Sequence, residues 1–327
     1  MTELKKQLYQ MFILGLDGGN CKQALEQGLG GVIFFSKDIH SESQFKNLVR
    51  DLKNKSLILP FMSIDQEGGR VERTEKIHNG KKYLSAKFAF EKGFDYLEKQ
   101  TNEIAQELNS YGINLNFAPC IDTNTNPNNP IIGERAFSSE PDEVIEGEKI
   151  VSKCYKNHGI VPCIKHFPGH GDANSDSHLT LPVIDLPLSE MEKTHIKPFK
   201  FAIKNGADMV MVAHLHCTCF DKENVPTSLS KNAIKYLRQV LNYNGVIISD
   251  DMIMKGVADF GDVEACEMGI KAGLNMFIYR NSDEKTINII EQIYKRIVNN
   301  SEMQKCVEES YKKITNLKSK YHILRNL

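Results

Sequence analysis

A chain of 327 residues whose 41 basic side chains nearly balance 42 acidic ones, for a net charge of -1, carries no global field that would recruit nucleic acid or an anionic membrane. No segment approaches the roughly 20 consecutive apolar residues of a transmembrane helix, and the apolar run Met11 to Leu16 is shorter than a signal-peptide core. The eight cysteines are scattered rather than set at framework spacings, which favours free thiols in a reducing compartment and hence a cytoplasmic location.

Strand-type apolar runs recur along the whole chain, at Phe12 to Leu16, Gly31 to Phe35, Pro60 to Ile64, Asn114 to Ala118, Pro162 to Phe167, Met209 to Ala213, Val246 to Ser249 and Met276 to Tyr279. Amphipathic stretches of helical length separate most of them: Ser43 to Asn54, Phe90 to Tyr111, Glu143 to His158, Leu188 to Asn205 and Lys231 to Asn244. Strand followed by helix, repeated, is the pattern of parallel βαβ units. The count of eight favours a closed (β/α)8 barrel of TIM type over an open doubly wound sheet. So does the segment after the first run, which reads GLDGGN and lacks the G-x-G-x-x-G phosphate loop. Nothing resembles a linker, so residues 1–327 are read as a single domain, with covering helices over about 285–327. Cys217 and Cys219 form C-x-C, tighter than the usual C-x-x-C zinc or redox pattern, and are read as strand-end or loop residues.

Chemically capable residues stand where these runs end: Asp65, Asp122, Lys165 with His166, His214, and Asp250 with Asp251. Singly, each fits an ordinary turn. As a set they fit the C-terminal mouth of a barrel, where active sites are built.

The segment from Ile164 to His178 leaves a strand and becomes a polar loop with Gly169 and Gly171, free to fold sharply. Asp176 and His178 are two apart, so in an extended stretch both project to one side. A carboxylate there holds the imidazole and raises its pKa from about 6.5, making His178 a candidate general acid/base. Pro168 and the two glycines exclude an H-x-x-x-H helix, so no metal is expected, and His170 is read as loop-structural. In Val246 to Gly256, strand alternation sends only one of the paired acids into the site. Asp250 is that candidate, and Asp251 is read as a helix N-cap. In Ser63 to Arg73, Asp65 precedes a Gly-Gly turn and two arginines suited to gripping hydroxyls. Surface ion pairing accounts equally well for Arg70, Arg73 and Arg135 taken singly.

Lys165-His166-Phe167-Pro168-Gly169-His170-Gly171 with Asp176-Ser177-His178, preceded by Ile64-Asp65-Gln66-Glu67-Gly68-Gly69-Arg70-Val71 and followed by Ser249-Asp250-Asp251-Met252, resembles glycoside hydrolase family 3. More narrowly it resembles the family's single-domain bacterial β-N-acetylhexosaminidases that act in peptidoglycan recycling, in order from about Gly15 to Tyr279. The resemblance implies exo-acting, retaining hydrolysis of a terminal N-acetyl-β-D-glucosamine from muropeptide fragments, without a cofactor. It implies Asp250 as nucleophile, His178 held by Asp176 as acid/base, and Asp65, Arg73, Arg135, Lys165 and His166 as sugar ligands. The readings left beside it are a phosphorylase or β-glucosidase on the same barrel, a metal-dependent hydrolase using His166, His170 and His178, and a sugar-binding protein without turnover. Met252-Ile253-Met254 and the run Asn275 to Arg280 depart from the family pattern and leave the aglycone preference open.

Overall fold

The computed structural model describes residues 2–78, 81–173 and 181–323. Its strands are β1 (Phe12–Asp17), β2 (Gly31–Phe34), β3 (Phe61–Ile64), β4 (Leu115–Asn116), β5 (Val161–Phe167), β6 (Val183–Ile184), β7 (Met209–Val212), β8 (His216–Cys217), β9 (Val246–Asp251) and β10 (Met276–Asn281). Eight of them close a barrel in the order β1-β10-β9-β7-β5-β4-β3-β2, every pair parallel. Each of the eight predicted runs supplies one of these strands. β2, β3, β5 and β7 are buried at every residue, because helices cover the outside and side chains fill the inside, so near-continuous apolar runs replace alternation. β6 and β8 form a separate two-stranded sheet, too short at two residues each to leave a periodic signal.

Three register slips reshape the mouth, each an extra residue on one strand: between Leu14 and Asp17 on β1, between Ile164 and Phe167 on β5, and between Ile248 and Asp251 on β9. A slip of this kind re-aims side chains that strict alternation would send apart.

The helices follow the predicted stretches with local breaks. Ser41 caps Glu42–Lys55 by accepting the Gln44 N–H. The stretch expected as one helix over Phe90 to Tyr111 is two, Ala86–Glu91 and Phe94–Ser110. They are parted by Gly93, whose φ of 103° a helix cannot contain. Leu188 to Asn205 likewise divides into Leu188–Lys193 and Ile196–Lys204, the second carrying Pro198 in its first turn, where no N–H is needed. Lys231–Lys235 ends in a π turn over Tyr236–Val240.

Glu284–Val298 and Ser301–Lys320 form the expected C-terminal covering helices. The last one seals the barrel floor. Its Lys318 is wholly buried, with Nζ 2.8 Å from Gln10 Oε1, 2.9 Å from the Leu59 carbonyl and 5.0 Å from the Phe61 ring centre. Among the described residues no helix is long and apolar enough to cross a membrane.

Candidate active site

The C-terminal ends of the strands open onto a cavity of about 240 Å³. Asp65, Arg73, Arg135, Lys165, His166 and Asp250 all line it, so the structure brings together six of the eight residues singled out for the site. The other two, Asp176 and His178, lie outside the described residues.

Asp65 leaves the end of β3, and its Oδ1 accepts from Lys165 Nζ at 2.8 Å. Lys165, wholly inside, also reaches Glu67 Oε1 at 2.6 Å. Glu67 in turn takes a two-pronged grip from Arg135, Nε at 2.9 Å and Nη2 at 2.8 Å. Burial alone would raise the Glu67 pKa, but Arg135 and Lys165 hold it well below the usual carboxylate range. The same contacts hold Lys165 and Arg135 above their ordinary values despite their burial. Glu67 was not among the predicted ligands. The available signal was its spacing, two residues beyond Asp65 and so on the same side of an extended chain.

His166 Nδ1 lies 2.7 Å from Asp122 Oδ2, and its Nε2 lies 3.3 Å from Arg135 Nη2. Arginine only donates, so Nε2 accepts, Nδ1–H points to Asp122, and the tautomer is set. Lys165 and His166 are sequence neighbours that alternation would place on opposite faces. The slip on β5 lets both serve the cavity.

Asp122 also accepts the main-chain N–H of His166 at 3.2 Å and of His170 at 2.6 Å. Cys120 Sγ, Asp122 and His166 have ligand-type atoms within 4.8 Å of one another. Asp122 already spends its lone pairs on these donors and on the Cys120 thiol at 3.2 Å, so the trio is better described as a hydrogen-bonded brace than as a metal cage.

The loop after β5 is held down by close approach. A Cβ on Gly171 would sit 1.7 Å from the Thr123 carbonyl oxygen, so only glycine fits. Expected as a loop-structural residue, His170 instead turns its buried ring into the cavity, and neither ring nitrogen has a partner among the described residues. Burial pushes it down to about 4 against the pull of Asp122, leaving a neutral imidazole available to a ligand.

Asp250 and Asp251 end β9, and both line the cavity. The expectation that only one would do so fails because an extra residue on β9, between Ile248 and Asp251, pairs Ile278 with Asp251 rather than with Asp250. Nor is Asp251 a helix cap. The next helix, Lys255–Ala258, starts four residues on. Asp251 Oδ1 instead accepts the N–H groups of Ile253 at 3.2 Å and Arg280 at 3.3 Å, while Oδ2 meets Arg280 Nε at 2.9 Å. Asp250 has no ion-pair partner within 4.0 Å among the described residues, and its hydrogen bond there comes from the Asp251 N–H at 2.7 Å. Burial favours its neutral form, but His166, His214, the Asp251 N–H and Lys165 outweigh it and keep the pKa below the ordinary value. His214, noted only as a strand-end residue, is buried beside it with Nδ1 2.7 Å from Ser228 Oγ.

Arg73 Nε is buried without a partner and faces the cavity, while its main-chain N–H is fixed by Gln66 Oε1 at 2.7 Å. Arg70 is different. It grips the carbonyls of Pro130 at 3.0 Å, Ile131 and Ile132 at 3.4 Å, and so steadies the loop that brings Ile131 to the wall. Among the described residues neither arginine makes the surface ion pair considered for it.

Comparison with known proteins follows the same lines. Beta-hexosaminidase A of Pseudoalteromonas piscicida is 32% identical over 322 residues, which cover 89% of this chain and 53% of that protein. A beta-hexosaminidase of Actinobacillus pleuropneumoniae serotype 3 (strain JL03) is 34% identical over 273 residues, 80% of this chain and 77% of that one. The chain thus spans about half the length of the first relative and about three quarters of the second. Among solved structures, a glycoside hydrolase family 3 beta-N-acetylglucosaminidase from Paenibacillus sp. str. FPU-7 superposes with a TM-score of 0.91 at 27% identity, over 99% of this chain and 63% of that chain. The beta-N-acetylhexosaminidase of Beutenbergia cavernae DSM 12333 shares the fold, with a TM-score of 0.90 at 21% identity over 98% and 99%. Residues 4–317 match the glycosyl hydrolase family 3 N terminal domain, and the chain belongs to that family.

Proposed function

We propose that this protein is an exo-acting, retaining β-N-acetylhexosaminidase that removes terminal N-acetyl-β-D-glucosamine from peptidoglycan-type fragments. The observation that carries the reading is Asp250: a half-buried carboxylate on the cavity wall with no ion pair among the described residues, opposite a wall of donors and acceptors suited to a sugar. Asp65, Arg73, Arg135, Lys165 and His166 present charged and polar groups at fixed angles, apt for ring hydroxyls and an acetamide. At about 240 Å³ the cavity falls below the roughly 300–1,000 Å³ of drug-sized ligand pockets, so it suits one sugar ring and a terminal residue rather than a threaded chain. The relatives named beta-hexosaminidase and beta-N-acetylglucosaminidase support the same sugar.

In the first step a carboxylate oxygen of Asp250 bonds to the anomeric carbon as the bond to the aglycone oxygen breaks. His178, oriented by Asp176, supplies the proton that oxygen needs. In the second step His178 takes a proton from water, whose oxygen displaces Asp250 and completes hydrolysis with retention. Phosphate in place of water would give the phosphorylase reaction.

The test pairs an aryl β-N-acetylglucosaminide with the aryl β-glucoside, with and without phosphate, and adds mass spectrometry after a slow fluorinated substrate. Selective turnover of the acetamido sugar, free sugar as product and an adduct on Asp250 are expected. An adduct elsewhere, or Asp250→Asn retaining more than about 1% of wild-type activity, would refute the nucleophile assignment, since loss of a covalent nucleophile costs several orders of magnitude.

A further inference from the structure

The C-x-C read from the sequence as strand-end or loop residues folds into a pair of facing sulfurs. Cys217 ends β8 and is buried, while Cys219 lies half-buried in the turn that follows. In an extended chain residues two apart share a side but stand roughly 6–7 Å from each other. Here the chain bends back, and the Cys217 carbonyl accepts the N–H groups of Phe220 at 3.0 Å and Asp221 at 3.3 Å. The bend brings the two Sγ atoms to 3.6 Å. Their contact lowers the Cys219 thiol below its ordinary value and raises that of Cys217, so Cys219 ionises first. An ionisable, half-buried sulfur with a second thiol behind it is the arrangement of an attacking and a resolving cysteine.

The stretch that carries the pair touches the barrel mouth at both ends. Three residues before Cys217, His214 is buried beside Asp250, with Nδ1 2.7 Å from Ser228 Oγ. One residue after Cys219, the Phe220 ring centre lies 6.5 Å from that of Phe167, the neighbour of His166. Asp221 is held by Asn232 Nδ2 at 2.8 Å and by Ser230, so the turn is anchored beyond the pair and a contraction within it pulls on the His214 side.

Resting on the glycosidase reading above, we propose that Cys217 and Cys219 form a redox modification site: a peroxide-class oxidant joins them in a disulfide that slows the enzyme, and a thiol reductant restores it. The Cys219 thiolate attacks one peroxide oxygen, breaking the O–O bond, and becomes a sulfenic acid as the other oxygen leaves as water. The Cys217 sulfur then bonds to Cys219 Sγ and expels a second water. Two thiols give up two electrons and two protons, and one peroxide is reduced to two waters. Closure from 3.6 Å to a bonded distance of about 2.0 Å tightens the turn. A displacement of this order next to His214 and Phe167 misaligns the groups around Asp250.

The test treats the reduced protein with hydrogen peroxide and follows turnover of an aryl β-N-acetylglucosaminide. Remaining thiols are then alkylated, and the tryptic peptide 205–222, which contains Cys217 and Cys219 and no other cysteine, is weighed. The peptide should be about 2 Da lighter than its reduced form and free of alkylation. With it, kcat/KM should fall about threefold or more, and dithiothreitol should reverse both changes. Reversal separates the pair from oxidation of Met211 and Met254 on the cavity wall, which dithiothreitol does not undo. Cys219→Ser should keep its activity under the same treatment, and Cys306→Ser, which leaves the pair intact, should lose it as the wild type does. A pair left as thiols, oxidised without joining, or joined with kcat/KM unchanged would overturn the inference while leaving the glycosidase reading intact. No turnover by the reduced protein would overturn that reading, and this inference with it.

Discussion

Glu67 joins the two cations of the cavity wall proposed to face the sugar, and Glu67→Gln puts a number on that role. Gln has almost the same shape but no charge. The largely covered Arg135, its side chain 12% exposed, loses both charged bonds, at 2.8 and 2.9 Å, and Lys165 loses one of its two carboxylates, at 2.6 Å. Removing one partner of a buried ion pair costs roughly 3–5 kcal/mol, because the other charge is left uncompensated. Lys165 keeps Asp65 at 2.8 Å and Arg135 keeps the Ile131 carbonyl at 3.2 Å, which favours the lower end. With an unfolding entropy of about 2.1 cal/mol/K per residue, 327 residues give about 0.7 kcal/mol per kelvin, so Tm should fall by about 4–7 °C. KM for an aryl β-N-acetylglucosaminide should rise with it as Arg135 and Lys165 lose their shared anchor. The sign with pH is also fixed. Glu67 is held below its ordinary pKa, so its contribution is present above the unfolded value of about 4.3 and fades as pH falls further. The difference between wild type and variant should therefore narrow in acid. Calorimetry at pH 7 and pH 3.5 beside steady-state kinetics makes the check. A Tm within about 1 °C of wild type at pH 7 would refute the reasoning.

Two further outcomes are expected. Arg73→Lys removes the buried, unpartnered Nε and should raise KM about 10-fold or more with a smaller change in kcat, as for a contact made equally in ground and transition states; titration with N-acetylglucosamine as inhibitor checks it, and an unchanged inhibition constant would count against Arg73 as a ligand. His78, its ring 1% exposed between Glu72 at 3.0 Å and Glu107 at 2.8 Å and packed on Tyr83, is raised to about 9 by those two carboxylates despite burial. A raised pKa means its contribution is full below about pH 6.5 and is lost as pH rises through about 9. His78→Gln should cost on the order of 2 kcal/mol at pH 6 and much less at pH 9.5, read by chemical denaturation at the two values; an equal loss at both would show that the ring acts only by packing.

The barrel strands were legible because each is a short apolar run buried on both faces, a signal that does not depend on which helix covers it. Strand ends marked the cavity wall for the same reason: Asp65, Lys165, His166 and Asp250 stand where hydrophobicity stops. What could not be read was how many side chains at each end turn inward. Alternation assigned one of Asp250 and Asp251 to the cavity, and two register slips, which leave no trace in composition, admit both acids and both Lys165 and His166. Glu67 escaped notice, and Asp122 was marked only as a strand-end residue, because their value lies in partners about 40 to 100 residues away. His170 looked like one more polar loop residue until Gly171, pressed against Thr123, pulled the loop onto the mouth.

The charges of the site are not spread evenly, and that unevenness carries the chemical argument. Asp65 and Glu67 are answered by Lys165 and Arg135, and Asp122 by His166 and two main-chain N–H groups. Glu67 and Asp122 are therefore builders, their charge answered by the groups they position, while Asp65 holds Lys165 through Oδ1 and still lines the cavity. Asp250 keeps its negative charge under the influence of His166, His214 and Lys165 without an ion pair to any of them. In the reaction proposed above, positive charge would grow at the anomeric carbon, and a fixed, unspent carboxylate facing it would stabilise that charge without rearrangement. A direct ion pair at Asp250 would lower its energy before reaction and forfeit that gain, so the absence of such a pair among the described residues is what sets Asp250 apart from the other acids of the mouth for the proposed role.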